Sequence, residues 1–232
     1  MKKIHHLFFE DIIINDIYHL IDLIIKKLPK ELYVTNKINY YNNNRNSKKI
    51  TIGLDCMNNS DIIFIKILKS SEKVIPEELI YLSTYYENHY FYQDCFLAYS
   101  FYKDYIITVV KSKKADGDIT DFKFNISTYN KLNEMITDEL YKMHSNEIIH
   151  MDIKTTNILY KKTSDGIKFG LCDFELVNNN NSVIGNIFKR YYFKLYKFNK
   201  FPDIYNTDCD IFIFNKMLQL LRNNKKIKLN SI

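Results

Sequence analysis

Ile148-Ile-His-Met-Asp-Ile-Lys-Thr-Thr-Asn-Ile-Leu-Tyr160 is the stretch that decides how this chain reads. It holds His150, Asp152, Lys154 and Asn157 in the order H-x-D-x-K-x-x-N. Downstream, Phe169-Gly-Leu-Cys-Asp-Phe-Glu175 is an apolar strand-like run ending in Asp173-Phe174. Upstream, Ile63-Phe-Ile-Lys66 sets a lysine in a β-branched run, and Glu78 follows in a helix-like segment.

The surrounding chain supplies matching elements. Residues 7–28 carry apolar side chains at helical spacing and stop before Pro29, which predicts one amphipathic helix or two. Residues 31–41 and 49–56 read as strands joined by a turn over Asn42–Ser47, since Asn tolerates left-handed backbone. Asp61–Leu68 is a third strand, rich in β-branched residues. Pro76 opens a helix with Glu77 and Glu78 in its first turn, where carboxylates suit the dipole. Cys95–Tyr102 and Tyr105–Val110 read as two more strands, and Lys111–Gly117 as a polar linker.

Beyond that linker the periodicity turns helical over 127–144, with Tyr129, Leu132, Met135, Ile136, Leu140 and Met143 on one stripe. Short strands are expected at Ile148–His150, Ile158–Tyr160 and Ile167–Leu171. A long aromatic and Asn-rich stretch, 176–207, has no clear period. Asp210–Arg222 reads as a buried helix, and the polar tail 223–232 as frayed.

Composition narrows the class. The 232 residues are 46% hydrophobic and 26% charged, which excludes a disordered chain, a collagen-like fibre and a disulfide scaffold. The formal charge is +6, and 30 of the 33 basic residues are Lys. The chain has 34 Ile, 26 Asn and 19 Tyr against five Gly, three Pro and no Trp. All of the abundant types have AT-rich codons. The Lys excess therefore reflects an AT-rich microbe, parasite or large DNA virus more than a nucleic-acid footprint, and no nucleic-acid partner is expected. Cys56, Cys95, Cys172 and Cys209 have neither CxxC nor metal-ligand spacing, so they read as reduced structural thiols. Asp and Glu interrupt the apolar N-terminal run, so no membrane span is expected and the location reads as cytoplasmic, meaning host cytoplasm or virion if the source is viral. His5, His6, His19, His89 and His144 carry no functional assignment.

With those residues in place, the chain resembles the protein kinase superfamily over about residues 31–222. The resemblance implies an α+β, bilobal fold. Its small antiparallel-sheet N-lobe would have one main helix plus an extra N-terminal helix, and its helical C-lobe would be reduced. The expected division is a helical extension over 1–30, the N-lobe over 31–110, a hinge over 111–117 and the C-lobe over 118–232. The cofactors implied are ATP and Mg²⁺ or Mn²⁺. Lys66 would hold the α- and β-phosphates, and Glu78 would hold Lys66. Glu77 is the rival; Glu78 is preferred because Leu82 then faces the core four residues on. Asp152 would take or orient the substrate hydroxyl proton, and Lys154 would neutralise the transferring phosphate. Asn157 and Asp173 would bind the metal. His150 would pack below the loop, and Asp210 would brace the loop backbone. Lys154 follows the Ser/Thr kinase pattern, so the expected partner is a protein substrate with Ser or Thr. The helix over 7–28 reads as packing before it reads as a partner site; a partner protein docking on it is the alternative.

The departures from the family pattern are specific. There is no G-x-G-x-x-G, and Asn42–Ser47 would stand in its place. Phe64 sits two residues before Lys66, on the same face, where a small residue roofs the adenine. Met151 replaces the arginine after His150, which removes the usual partner of a phosphorylated activation loop. Glu175 replaces the glycine after Asp173-Phe174, as a fixed turn or as an acidic group near the metal. No A-P-E motif appears; Phe201-Pro202-Asp203 is its nearest substitute. The reduced C-lobe, the acidic turn and the composition together resemble the divergent Ser/Thr kinases of poxviruses and other large DNA viruses. Phe64 and the missing glycines keep a pseudokinase or scaffold as an alternative. Glu175 keeps a choline- or aminoglycoside-type small-molecule kinase, against which Lys154 argues. A compact kinase associated with tRNA modification is a further variant.

Overall fold

The β-branched runs of the first half pair into one sheet. A computed structural model of the chain describes residues 1–8, 17–32, 34–44, 49–179, 182–183 and 204–224. These belong to two units, Met1–Glu87 with Phe91–Lys114, and Asn88–Tyr90 with Ala115–Ile232.

The first unit contains β1 (Ile4–His6), β2 (Val34–Asn44), β3 (Lys49–Cys56), β4 (Asp61–Lys69), β5 (Phe96–Tyr102) and β6 (Tyr105–Lys113), with helices α1 (Ile17–Lys27) and α2 (Glu77–Tyr85). The sheet order is β1-β5-β6-β4-β3-β2. Every pairing is antiparallel except β1 on β5, which is parallel and amends the all-antiparallel expectation. Strand alternation then sorts β4. Ile63, Ile65 and Ile67 turn inward, while Phe64 and Lys66 stay half-buried on the other face. The inward face is the main core. Leu20, Ile21 and Ile24 of α1, with Leu28 just beyond it, cluster with Ile52, Leu54, Ile63, Ile65, Ile67, Ala98, Ile107 and Val109.

The apolar stripe of α1 is buried against its own sheet, where each large aliphatic side chain is worth roughly 1.5–3 kcal/mol. Of the large hydrophobics in α1, Tyr18 stands well exposed at 64%.

Three local expectations change. Leu7, placed in the helix by periodicity, instead follows β1 and donates its N–H to the Tyr99 carbonyl at 2.8 Å. The open edge of β5 has unpaired backbone groups, and the N-terminal segment satisfies them. Residues 9–16 lie outside the described residues. Lys30–Leu32 form a single 3₁₀ turn before β2. Asn42, Asn43 and Asn44, expected in a turn, continue β2 opposite Thr51, Ile50 and Lys49, because ladder pairing outweighs the turn preference of Asn. The rest of that turn, 45–48, lies outside the described residues. Strand β6 likewise runs through Lys113.

All four cysteines are free thiols. Burial pushes the Cys95 thiol up to about 11, and burial with Asp61 nearby does the same for Cys56. Iodoacetamide at pH 8 should therefore modify half-buried Cys172 well ahead of Cys95 and Cys56, and all four once urea unfolds the chain. The folded thiol of Cys95 titrates above the unfolded one. Its stabilising contribution is thus complete below the ordinary thiol value of 9.0 and is lost as pH rises from there to about 11. The fall in the urea midpoint across that window should be smaller in Cys95→Ala.

The second unit contains β7 (Gly117–Asp118), α3 (Ile126–His144), β8 (Ile148–Ile149), β9 (Ile158–Thr163), β10 (Gly166–Leu171), β11 (Asn178–Asn179), β12 (Ser182–Val183), β13 (Ile204–Tyr205) and α4 (Thr207–Asn224). Asn125 caps α3: its side chain accepts from Thr128 N at 2.8 Å, and Thr128 Oγ1 accepts from Asn125 N at 3.0 Å. The β9–β10 hairpin closes with Thr163 opposite Gly166, whose φ of +107° is open to glycine alone. Helix α3 packs on β10 and α4. Phe201–Asp203 and the tail from 225 lie outside the described residues. No helix among the described residues is long and apolar enough to cross a membrane.

Candidate functional site

In the first unit, β4 presents Lys66 and the first turn of α2 presents Glu78. Lys66 Nζ donates to both Glu78 carboxylate oxygens at 2.8 Å. Glu78 is buried and Glu77 is exposed, so the contact belongs to Glu78, with Leu82 buried one turn on. Charge-assisted, two-oxygen contact at this depth is the strong kind of ion pair. The segment leading into β1 also fixes α2. Lys2 N donates to the Ser83 carbonyl at 2.5 Å, while Leu7 N holds Tyr99 of β5. The N-terminal segment 2–7 thus ties the helix that carries Glu78 to the sheet. Phe64 shares the Lys66 face. Its register neighbours are Gly53 on β3 and Val110 on β6. Gly53 has no side chain to compete for the space beside the ring.

In the second unit, the segment 150–157 folds back on itself. Asp152 is 8% exposed. Its Oδ2 accepts from Lys154 Nζ at 2.5 Å and from Asn157 Nδ2 at 2.8 Å. Asn157 Nδ2 also donates to the Asp152 carbonyl at 3.0 Å. No hydrogen bond from the described residues reaches Asp152 Oδ1. One oxygen of the carboxylate is therefore engaged twice, and the other retains its acceptor capacity.

His150 sets the level of this segment. Its Nδ1 accepts from Asp152 N at 3.3 Å, and its Nε2 donates to the Cys172 carbonyl at 3.1 Å. Those two partners fix the Nε2–H tautomer. Cys172 N in turn donates to the Asn157 carbonyl at 3.0 Å. Asp173, the next residue, has left-handed backbone at φ 62° and ψ 65°, a conformation Asp tolerates better than most residues. The Phe174 ring lies against His150 with centroids 5.1 Å apart. Glu175 is half-buried in the turn Phe174–Leu176.

Asp210, in the first turn of α4, is completely buried. It accepts from His150 N at 2.8 Å, Met151 N at 3.1 Å, Tyr205 Oη at 2.7 Å and His144 Nε2 at 3.1 Å. It therefore clamps the backbone where Met151 takes a left-handed φ of 65°.

The oxygen donors suit a small hard cation. No cluster of three or more His, Cys, Asp or Glu among the described residues could hold a metal alone. A Mg²⁺ held largely by phosphates needs only one or two protein ligands. Asn157 directs its amide nitrogen at Asp152, which leaves its Oδ1 with a single long contact, from Thr156 Oγ1 at 3.5 Å. Asp173 would supply the carboxylate to such an ion.

Two residues without a sequence assignment enter this region. Glu139 on α3 is 5% exposed and accepts from Leu171 N at 2.7 Å. His89 is fully buried, meets Glu139 at 2.8 Å and lies 4.7 Å from the Phe174 ring. A signal for Glu139 was present: it sits three residues after Ile136 and four before Met143, a charge on the apolar stripe. His89 had none.

No family model and no curated protein matches the chain. Among solved structures it is similar to the kinase PK-1 of Cydia pomonella granulovirus. The identity is 17% and the TM-score 0.54, over 84% of this chain and 75% of that one. The likeness shows the fold: protein-kinase-like, α+β. The two α-helices among the described residues of the second unit match the reduced helical lobe read from the sequence.

Proposed function

We propose that the chain is an ATP- and Mg²⁺-dependent serine/threonine protein kinase. The observation that carries this reading is Asp152, with Oδ2 held by Lys154 and Asn157 and Oδ1 left as an acceptor. In this role Oδ1 takes the proton of a Ser or Thr hydroxyl as its oxygen attacks the γ-phosphorus and the bond to the β-phosphate oxygen breaks. Lys154, beside the same carboxylate, offsets charge on the transferring phosphoryl group. Its place two residues after Asp152 supports Ser/Thr over Tyr. Asn157 and Asp173 hold the metal, which when bound neutralises phosphate charge. Lys66 binds the α- and β-phosphates, oriented by Glu78. The substrate is a protein.

Phe64 favours one second reading, a nucleotide-free scaffold, because its ring occupies the face that carries Lys66. Thermal melting with and without ATP–Mg²⁺ separates the two. Ligand at a hundred times its Kd stabilises the native state by about 2.7 kcal/mol, which is roughly 5–10 °C for a chain of this length. The expected result is such a rise in the wild type and its loss in Asp173→Asn. No rise at millimolar ATP with either Mg²⁺ or Mn²⁺ would put the scaffold first. Transfer of labelled phosphate to a basic protein, and none to choline or an aminoglycoside, then distinguishes a protein kinase from a small-molecule kinase.

A further inference from the structure

A buried carboxylate against the strand that leads into Asp173 has no role in the chemistry above. Leu171 is the last residue of β10, which pairs with β9 on one side. Its N–H meets no strand; it meets Glu139 Oε2 at 2.7 Å. The other oxygen, Oε1, meets His89 Nδ1 at 2.8 Å, so His89 carries its proton on Nδ1 when Glu139 is ionised. The His89 ring then rests on Phe174. One dyad thus holds the backbone two residues before Asp173 and the ring one residue after it. On the opposite flank His150 holds the Cys172 carbonyl, and Asn157 holds the Cys172 N–H. Asp173, in a left-handed conformation that its own side chain does not cap, stands between these two sets of contacts.

Satisfying one amide would not require a buried charge. A neutral acceptor suffices for a lone N–H, and an ionised carboxylate is expensive to bury unless its hydrogen bonds are strong and directed. Two short bonds to different elements, aimed at both sides of one residue, are what orientation of a metal ligand calls for.

We infer that Glu139 and His89 are positioning residues that set the Asp173 carboxylate for its metal. This inference rests on the kinase reading, because it presupposes that Asp173 binds Mg²⁺ or Mn²⁺ with ATP. Glu139 acts through the Leu171 amide, and His89 acts through Glu139 and the Phe174 ring.

The test is a titration of Mg²⁺, and separately Mn²⁺, at fixed ATP, following the melting midpoint of the full chain. Loss of an outer partner of a metal ligand typically weakens metal binding about 10–100-fold. Glu139→Ala should raise the half-saturating metal concentration by about tenfold or more. Glu139→Gln keeps an acceptor for Leu171 N but sets its NH₂ against His89 Nδ1, and should fall between the wild type and Glu139→Ala. If Glu139→Ala does not fold, Glu139→Asp keeps the charge but withdraws it by one methylene, and should weaken metal binding in the same direction. A purely structural role would lower the ligand-free midpoint and leave the half-saturating metal concentration unchanged. That outcome, in a wild type that responds to ATP and metal, overturns the positioning role alone. A wild type with no response to ATP and metal overturns the kinase reading, and this inference with it.

Discussion

Asp152→Asn should lower kcat for phosphoryl transfer by about 10²–10⁴-fold while ATP–Mg²⁺ still raises the melting midpoint as in the wild type. The substitution is close to isosteric, so packing at this buried position survives. Its chemistry does not. Lys154 Nζ and Asn157 Nδ2 both donate toward Oδ2, so the new amide must turn its oxygen to them. Its NH₂ then stands where Oδ1 stood, a donor in place of an acceptor. A substrate hydroxyl can no longer pass its proton there. Phosphate and metal contacts belong to Lys66, Asn157 and Asp173 in the proposed scheme, so nucleotide binding is spared. A kcat within threefold of the wild type would remove Asp152 from the reaction.

The largest loss of stability should follow Asp210→Ala, at about 3–5 kcal/mol. Asp210 is fully buried and receives four hydrogen bonds between 2.7 and 3.1 Å. Two of the donors are the backbone amides of His150 and Met151, which sit in the interior and have no water to turn to. Met151 is also held at a positive φ, a strain of roughly 1–3 kcal/mol that persists only while the clamp does. For a chain of this length the midpoint should fall by about 10 °C. Asp210→Asn keeps one acceptor oxygen and should lose less. A midpoint for Asp210→Ala within 2 °C of the wild type would show that the loop backbone is held by something else.

The elements of this chain were largely legible in its sequence because the relevant signals are local. Ile63, Ile65 and Ile67 alternate with Phe64 and Lys66, and that period of two gives the strand and both of its faces. Leu132, Ile136, Leu140 and Met143 give α3 by the same logic at 3.6 residues per turn. Pro76 and the two glutamates after it mark the start of α2. The readings that changed did so where backbone pairing decided the matter. Asn42–Asn44 favour a turn in isolation but continue β2 because β3 offers a full ladder opposite them. Ile4–His6 carry no strand signal strong enough to notice, yet they close the open edge of β5.

For the candidate site, the sequence by itself determined which residues make up the candidate set and in what order, since His150, Asp152, Lys154 and Asn157 lie within eight positions and Asp173-Phe174 follows at a readable spacing. It also determined the stripe of α1 and favoured packing for it, though not which strands would cover it. Only the tertiary structure decided what holds these groups in place. Glu139 lies 32 residues from Leu171 and 50 from His89, and Asp210 lies 60 from His150. Hydrogen bonds across such separations leave no period in the chain. They depend on where the packing of α3 on β10 and α4 brings a buried carboxylate against a backbone amide.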